Sequence, residues 1–268
     1  MFQTAGGHRL EYKRIDPGPR RGAAADAPVL VFLHEGLGSL ALWKDFPEKV
    51  SHATGCPSIV YSRYGYGKSD RLVEARGLDY MHHEALEVLP ELLDALSIRK
   101  PILIGHSDGA SIALIHTGAR RRPVRGLVLL APHVFVEDIT VKSIAEAKVA
   151  FENTELPVKL ARYHDDAVST FRGWNDIWLH PDFRHWNIEE YLPGVSCPVL
   201  LIQGEDDQYG TSSQVTAIAR QVCGPVETLM LPACAHSPHV DQTHATVEKI
   251  AYFIRELSDK TSAARNRR

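Results

Sequence analysis

Cysteine is scarce. The four cysteines, Cys56, Cys197, Cys223 and Cys234, lie far apart, so neither a disulfide framework nor a metal-type or redox-type Cys pair can be read from them. Free thiols and a cytoplasmic location are the expectation. Long apolar runs are also missing. Nothing approaches the roughly 20 residues of a membrane span, and the opening MFQTAGGHRLEYKR has no signal-type apolar stretch before its charges. Membrane insertion and secretion are therefore not expected. An excess of positive charge is absent too: 30 Lys+Arg against 33 Asp+Glu leave a net charge of −3. That balance lacks the basic footprint of a nucleic-acid binder. No repeat at a period of about 20–50 residues suggests a solenoid or propeller. No histidine has an acidic or thiol neighbour at metal-ligand spacing, so no metal and no cofactor are expected.

What remains is ordinary globular composition, 44% hydrophobic and 24% charged. A chain of this size buries about three quarters of its unfolded surface and needs no staple. Short apolar runs bounded by turn residues recur along it: PVLVFLH (28–34), PSIVYS (57–62), PILIG (101–105), GLVLLA (126–131), PVLLIQ (198–203) and VETLML (226–231). Each reads as a strand covered on both faces. Helical patterns lie between them. Leu86, Leu89, Leu93 and Leu96 form one apolar stripe over 83–97, ASIALIHTGARR (110–121) follows a strand directly, and ATVEKIAYFIREL (245–257) closes the pattern. Alternating β and α predicts an α/β fold with a mostly parallel sheet and helices on both faces, whose ligands bind beyond the carboxyl ends of the strands. Residues 16–28 read as a surface connection, and the ending SDKTSAARNRR as polar and frayed. Residues 136–196 lack strand-like runs and read as a helical segment inserted into a core made of 1–135 and 197–268.

The chemistry gathers at those strand ends. Gly105-His106-Ser107-Asp108-Gly109 joins a strand to a helix. A Gly-x-Ser-x-Gly pattern arises by chance about 0.1 times in such a chain, so its weight comes from that context. A sharp strand-to-helix turn exposes its central residue at a helix N-terminus, which marks Ser107 as a nucleophile rather than a plain capping serine. A hydroxyl needs a base to take its proton. His236 follows the last strand in the loop Ala233–His239 and is the candidate. Its imidazolium needs a carboxylate, and Gly204-Glu205-Asp206-Asp207 follows the preceding strand; Asp207 is preferred and Asp206 is the alternative. The oxyanion needs backbone donors: Asp108 supplies one, and the glycine-rich loop His34–Ser39 supplies the other, Gly36 or Leu37. That loop has no Lys-Ser/Thr ending for a nucleotide.

With these residues placed, the chain resembles the α/β-hydrolase superfamily over nearly its whole length. GHSDG is similar to its nucleophile elbow, HEGLGS to its oxyanion loop, and YSRYGYGKSD (61–70) to its Arg-Gly-x-Gly-x-Ser stretch. The family's Gly-x-x-Asp spacing selects Asp207. Among subgroups it resembles meta-cleavage-product hydrolases, enol-lactonases and biphenyl-hydrolase-like (valacyclovir) esterases. Two departures stand out: Glu35 where the family has glycine, and Gln208-Tyr209-Gly210-Thr211 in place of an apolar-Pro ending. The resemblance makes 136–196 a helical cap over the site. Its aromatics, including Trp174, Trp178 and Trp186, pack the cap and line a pocket, with Trp174, Trp178 and Glu35 as candidate substrate contacts. The charges of Glu35 and Asp108, beside the donors, either meet a cationic substrate amine or are neutralised by Arg63.

The expected activity is serine-dependent hydrolysis of a small carboxylic ester or lactone. The alternative is hydrolysis of a carbon–carbon bond beside a ketone, in a vinylogous diketone from aromatic-ring cleavage. A non-catalytic binding module on the same fold ranks behind both, because every required residue type is present. Small molecules are the expected partners, and a homodimer is one assembly open to the chain.

Overall fold

The computed structural model describes residues 1–18 and 27–265; most of the surface connection expected at 16–28 therefore lies outside the described residues. Eight strands form one sheet: β1 (Phe2–Ala5), β2 (His8–Ile15), β3 (Leu30–Leu33), β4 (Ser58–Tyr61), β5 (Ile102–His106), β6 (Gly126–Leu130), β7 (Val199–Gly204) and β8 (Val226–Leu231). Their order is β1-β2-β4-β3-β5-β6-β7-β8. The pairs β1–β2 and β2–β4 are antiparallel and every other pair is parallel. The helices are α1 (Phe46–Thr54), α2 (Tyr80–His83), α3 (Leu89–Ala95), α4 (Asp108–Gly118), α5 (Asp138–Asn153), α6 (Leu156–Leu160), α7 (Ala167–Trp178), α8 (Ser212–Gln221), α9 (Pro238–Asp241) and α10 (Thr243–Arg265).

Side-chain alternation divides the core into two layers. Leu30, Phe32, Ile102, Ile104, Val128, Leu130, Leu200 and Ile202 face one side, with Val50 of α1 and Phe253, Ile254 and Leu257 of α10. Val31, Leu33, Leu103, Leu127, Leu129, Val199 and Leu201 face the other, with Leu92 of α3 and Ile112 and Ile115 of α4. Both faces of the parallel strands are thus buried, which is why those strands read as uninterrupted apolar runs. The expected helix at 83–97 is realised as α2, a π-helical turn over Glu84–Val88, and α3. The widened turn precedes Pro90, whose nitrogen has no proton for the helical ladder. The ending SDKTSAARNRR, expected to fray, is helical as far as the described residues reach, and 266–268 lie outside them. α10 continues to Arg265, with the Ala-rich TSAAR stretch favouring helix.

The segment between β6 and β7 holds α5, α6, α7 and two short 3₁₀ turns at Pro181–His185 and Glu189–Gly194. α7 is capped by the Asp166 carboxylate, which accepts from the Ser169 N–H at 3.0 Å. Four bonds stitch this segment to the loop after β4: Thr170 Oγ1 donates to the Gly65 carbonyl, Ser169 Oγ to the Leu72 carbonyl, Asp165 N–H to the Gly67 carbonyl, and Gly67 N–H to His164 Nδ1. The cysteines form no disulfide: Cys56 and Cys234 are buried, Cys197 is intermediate and Cys223 is exposed. No helix among the described residues is long and apolar enough to cross a membrane.

Candidate active site

The central strand β5 delivers Ser107 to the carboxyl rim of the sheet, with φ 51° and ψ −119°. This positive φ is strained for a residue with a Cβ. It is held by close approach of the neighbouring elements: a Cβ on Gly109 would stand 2.1 Å from the Leu33 carbonyl oxygen of β3. The Ser107 hydroxyl does not cap α4. It lies 3.0 Å from His236 Nε2, in the loop that follows β8. His236 Nδ1 in turn lies 2.9 and 3.0 Å from Asp207 Oδ1 and Oδ2. A carboxylate only accepts, so Nδ1 carries the proton and Nε2 is left to accept from Ser107 O–H. Asp206 is exposed, and its backbone N–H bonds the Cys234 carbonyl. Asp207, not Asp206, therefore reaches the imidazole.

The loop after β7 builds a cradle for Asp207. The N–H groups of Tyr209 and Gly210 donate to Oδ1 at 2.8 and 3.3 Å, and Gln203 Nε2 donates to Oδ2 at 3.3 Å. Burial pushes the Asp207 carboxyl up, but His236 and the Tyr209 N–H outweigh it and hold the group below the usual carboxylate range. Gln203 was not anticipated. Its only sequence signal is a polar residue ending the apolar run PVLLI.

The loop after β3 places Gly36 and Leu37 beside Ser107. Among the described residues, the backbone N–H groups of Gly36, Leu37 and Asp108 make no hydrogen bond, so all three are free to donate. The loop is held from below. Arg63 Nη2 donates to the Glu35 carbonyl at 2.8 Å, Arg63 N–H donates to His34 Nε2 at 3.1 Å, and His164 Nε2 donates to the Leu37 carbonyl at 3.0 Å. Trp174 closes over it, and a Cβ on Gly36 would meet the indole Nε1 at 2.0 Å.

Both acidic neighbours line the cavity, and Asp108 is the more deeply buried. Its side chain is 1% exposed, accepts from Tyr80 O–H at 2.6 Å and lies 3.9 Å from Arg63 Nη2. Arg63 and Tyr80 thus face its Oδ2, while its Oδ1 is buried without a hydrogen-bond partner. Glu35 Oε2 lies 3.5 Å from His106 Nδ1, while His106 Nε2 donates to the His236 carbonyl at 2.8 Å. Burial pushes Glu35 up, but the neighbouring imidazoles, His106 first, hold its carboxyl well below the ordinary range.

Above Ser107 lies a cavity of about 100 Å³. Glu35, Gly36, Leu37 and His236 form its floor and side, and Trp174, Trp178, Thr140 and Ile144 of the inserted segment close it. His133, just beyond β6, and Tyr209 complete the wall; their rings lie 5.5 and 4.7 Å from that of His236. His133 is a polar residue just past an apolar strand, and that was its only signal.

The site region is rich in buried neutral imidazoles. Burial, followed by the charges of neighbouring histidines, drives His133 and His239 down to about 3. His34, His116 and His164 are lowered by burial as well. Below pH 6.5 the unfolded chain takes up protons that the folded one refuses, so stability falls as pH falls. His133 and His239 together should remove roughly 3 kcal/mol per pH unit between about pH 6 and 4, at about 1.4 kcal/mol each. Urea midpoints at pH 7.5 and 5.5 check this. The midpoint should drop in acid, and His239→Phe should flatten the drop; an equal slope in both proteins would refute the assignment.

A family model described as alpha/beta hydrolase family matches residues 30–249. The human serine hydrolase BPHL is 26% identical over 187 residues, covering 68% of this chain and 64% of that protein. The chain thus spans just under two thirds of that relative's length. A haloalkane dehalogenase of Mesorhizobium japonicum is 31% identical over 109 residues, 40% of this chain and 33% of the dehalogenase. Among solved structures, the enol-lactonase of Burkholderia xenovorans superposes with TM-score 0.72 at 18% identity, over 95% of this chain and 100% of that one. A proline iminopeptidase of Mycobacterium smegmatis superposes with TM-score 0.73 at 17% identity, over 97% and 100%. At such identities the superpositions speak for the fold alone.

Proposed function

Since this chain belongs to the alpha/beta hydrolase family, we propose that it is a serine hydrolase cleaving a small carboxylic ester or lactone through an acyl-enzyme on Ser107. The observation that carries this reading is the unbroken chain Ser107 Oγ, His236, Asp207, with bonds of 3.0 and 2.9 Å. Ser107 Oγ attacks the carbonyl carbon while its proton passes to His236 Nε2. Asp207 holds the imidazole in the required tautomer and stabilises its cationic form. The N–H groups of Asp108 and Gly36, with Leu37 alongside, receive the oxyanion. Collapse breaks the carbon–oxygen bond, and the alkoxide leaves with the proton from His236. Water then adds to the acyl carbon, giving its proton to His236, and the carboxylic acid departs as Ser107 recovers its own. The inserted helices act as a cap that limits water and sets the size of the acyl group. The naming of the human relative as a serine hydrolase supports this reading.

A cavity of about 100 Å³ is smaller than the roughly 150 Å³ that holds benzene, which favours short acyl groups. Turnover of p-nitrophenyl esters from acetate to octanoate should peak between acetate and butyrate and fall at least tenfold by hexanoate. A fluorophosphonate should add to Ser107, located by peptide mass mapping. No turnover of any ester, together with bleaching of a coloured ring-fission product, would replace the ester reading by carbon–carbon bond hydrolysis.

A further inference from the structure

Two residues that line the cavity over Ser107 carry buried polar atoms that the triad does not use. His133 is 2% exposed and its Nδ1 is sealed from solvent with no hydrogen-bond partner. Trp178, also 2% exposed, has a buried Nε1–H in the same state. The two rings meet edge to face with centroids 5.6 Å apart, and both line the cavity. Buried polar groups are normally bonded, because leaving one unmade costs about 1–3 kcal/mol. Two such nitrogens beside one small cavity need an explanation, and packing alone would be served as well by phenylalanine at either place.

We propose that His133 and Trp178 form a subsite for a neutral hydrogen-bonding oxygen on the acyl part of the substrate, an ether, hydroxyl or carbonyl oxygen beyond the scissile ester. This rests on the serine-esterase reading and names the acyl class for it. Neutrality follows from the surroundings. No lysine or arginine lines the cavity, whereas Glu35 and Asp108 do, so an anionic acyl group would be repelled. Burial keeps the His133 imidazole uncharged, with its pKa pushed down to about 3, so it offers a hydrogen bond rather than an ion pair. A purely alkyl acyl group would leave both nitrogens unmatched, whereas an oxygen in the chain satisfies at least one.

A pair of isosteric esters tests this, p-nitrophenyl methoxyacetate and p-nitrophenyl butyrate, which differ by an oxygen in place of a methylene. Each enzymatic kcat/KM is divided by the ester's rate of alkaline hydrolysis, and the methoxyacetate-to-butyrate ratio is compared among proteins. The wild type should favour methoxyacetate by about tenfold. Trp178→Phe and His133→Phe should each lower that preference at least fivefold, and His133→Gln, which keeps a hydrogen-bonding group, should restore part of it. Fluorophosphonate labelling of Ser107 verifies that each variant holds a folded site. A ratio that moves less than twofold in both aromatic variants overturns the subsite while leaving the ester reading intact. Failure of the wild type to turn over either ester overturns both.

Discussion

Replacement of Ser107 by alanine should lower kcat/KM for p-nitrophenyl acetate by about 10⁴–10⁶-fold, since the oxyanion donors alone retain only modest catalysis. In the proposed mechanism Ser107 and His236 act as one unit across a 3.0 Å bond. His236→Ala should therefore cost about as much, and the double variant little more than either single one. Asp207→Asn should cost about 10⁴-fold with the fold intact, because an amide can donate to Nδ1 and trap the wrong tautomer. Initial rates with purified variants, each verified by circular dichroism, measure these effects. Additive losses in the double variant, or an Asp207→Asn enzyme within tenfold of wild type, would remove the proposed roles.

Gly109→Ala should damage the fold severely, at several kcal/mol and with expression passing into the insoluble fraction. The added Cβ would lie 2.1 Å from the Leu33 carbonyl oxygen and 2.5 Å from its carbon. Both are backbone atoms of a strand paired on each side, to β4 and β5, so neither can step aside. Relief requires α4 to shift away from the sheet, which carries Ser107 with it. Gly77→Ala is the control. Its Cβ would first meet Asp79 Oδ1, the far end of a side chain that can rotate, so the expected change is below about 1 kcal/mol. Thermal melts of the two variants distinguish a backbone collision from a general intolerance of alanine.

The parallel strands were legible because burial on both faces writes them as uninterrupted apolar runs, and β3 to β8 each fall within a run read from sequence, give or take a residue at either end. β1 and β2 carry alternating polar residues at the sheet edge and escaped notice, as did α1. The π-helical turn was likewise invisible to an apolar stripe that cannot register how many residues make each turn. Around Ser107, chain order and the habit of placing chemistry after strands pointed to the residues that the fold brings together. Asp207 was preferred over Asp206 on the family's spacing, but the physical reason needed coordinates, because both follow the same strand and only the course of the backbone aims one at His236. His164 was out of reach altogether. It meets Leu37 across 127 positions, and nothing local in its sequence says that an imidazole of the inserted segment will brace the loop after β3. Gln203 and His133 lie between these cases, each a polar residue at a strand end whose partner could not be named.

The cysteine distribution decides how the molecule can be tagged. Cys56 and Cys234 are buried, and burial pushes the thiols of Cys197 and Cys234 up to about 11, where little thiolate exists to attack a maleimide. Cys223 is the exposed one. It precedes β8 and sits at the amino rim of the parallel strands, across the sheet from Ser107. A thiol-directed dye thus lands at one place, on the rim remote from the chemistry, and offers a fluorescence reporter that leaves the substrate's entrance unobstructed.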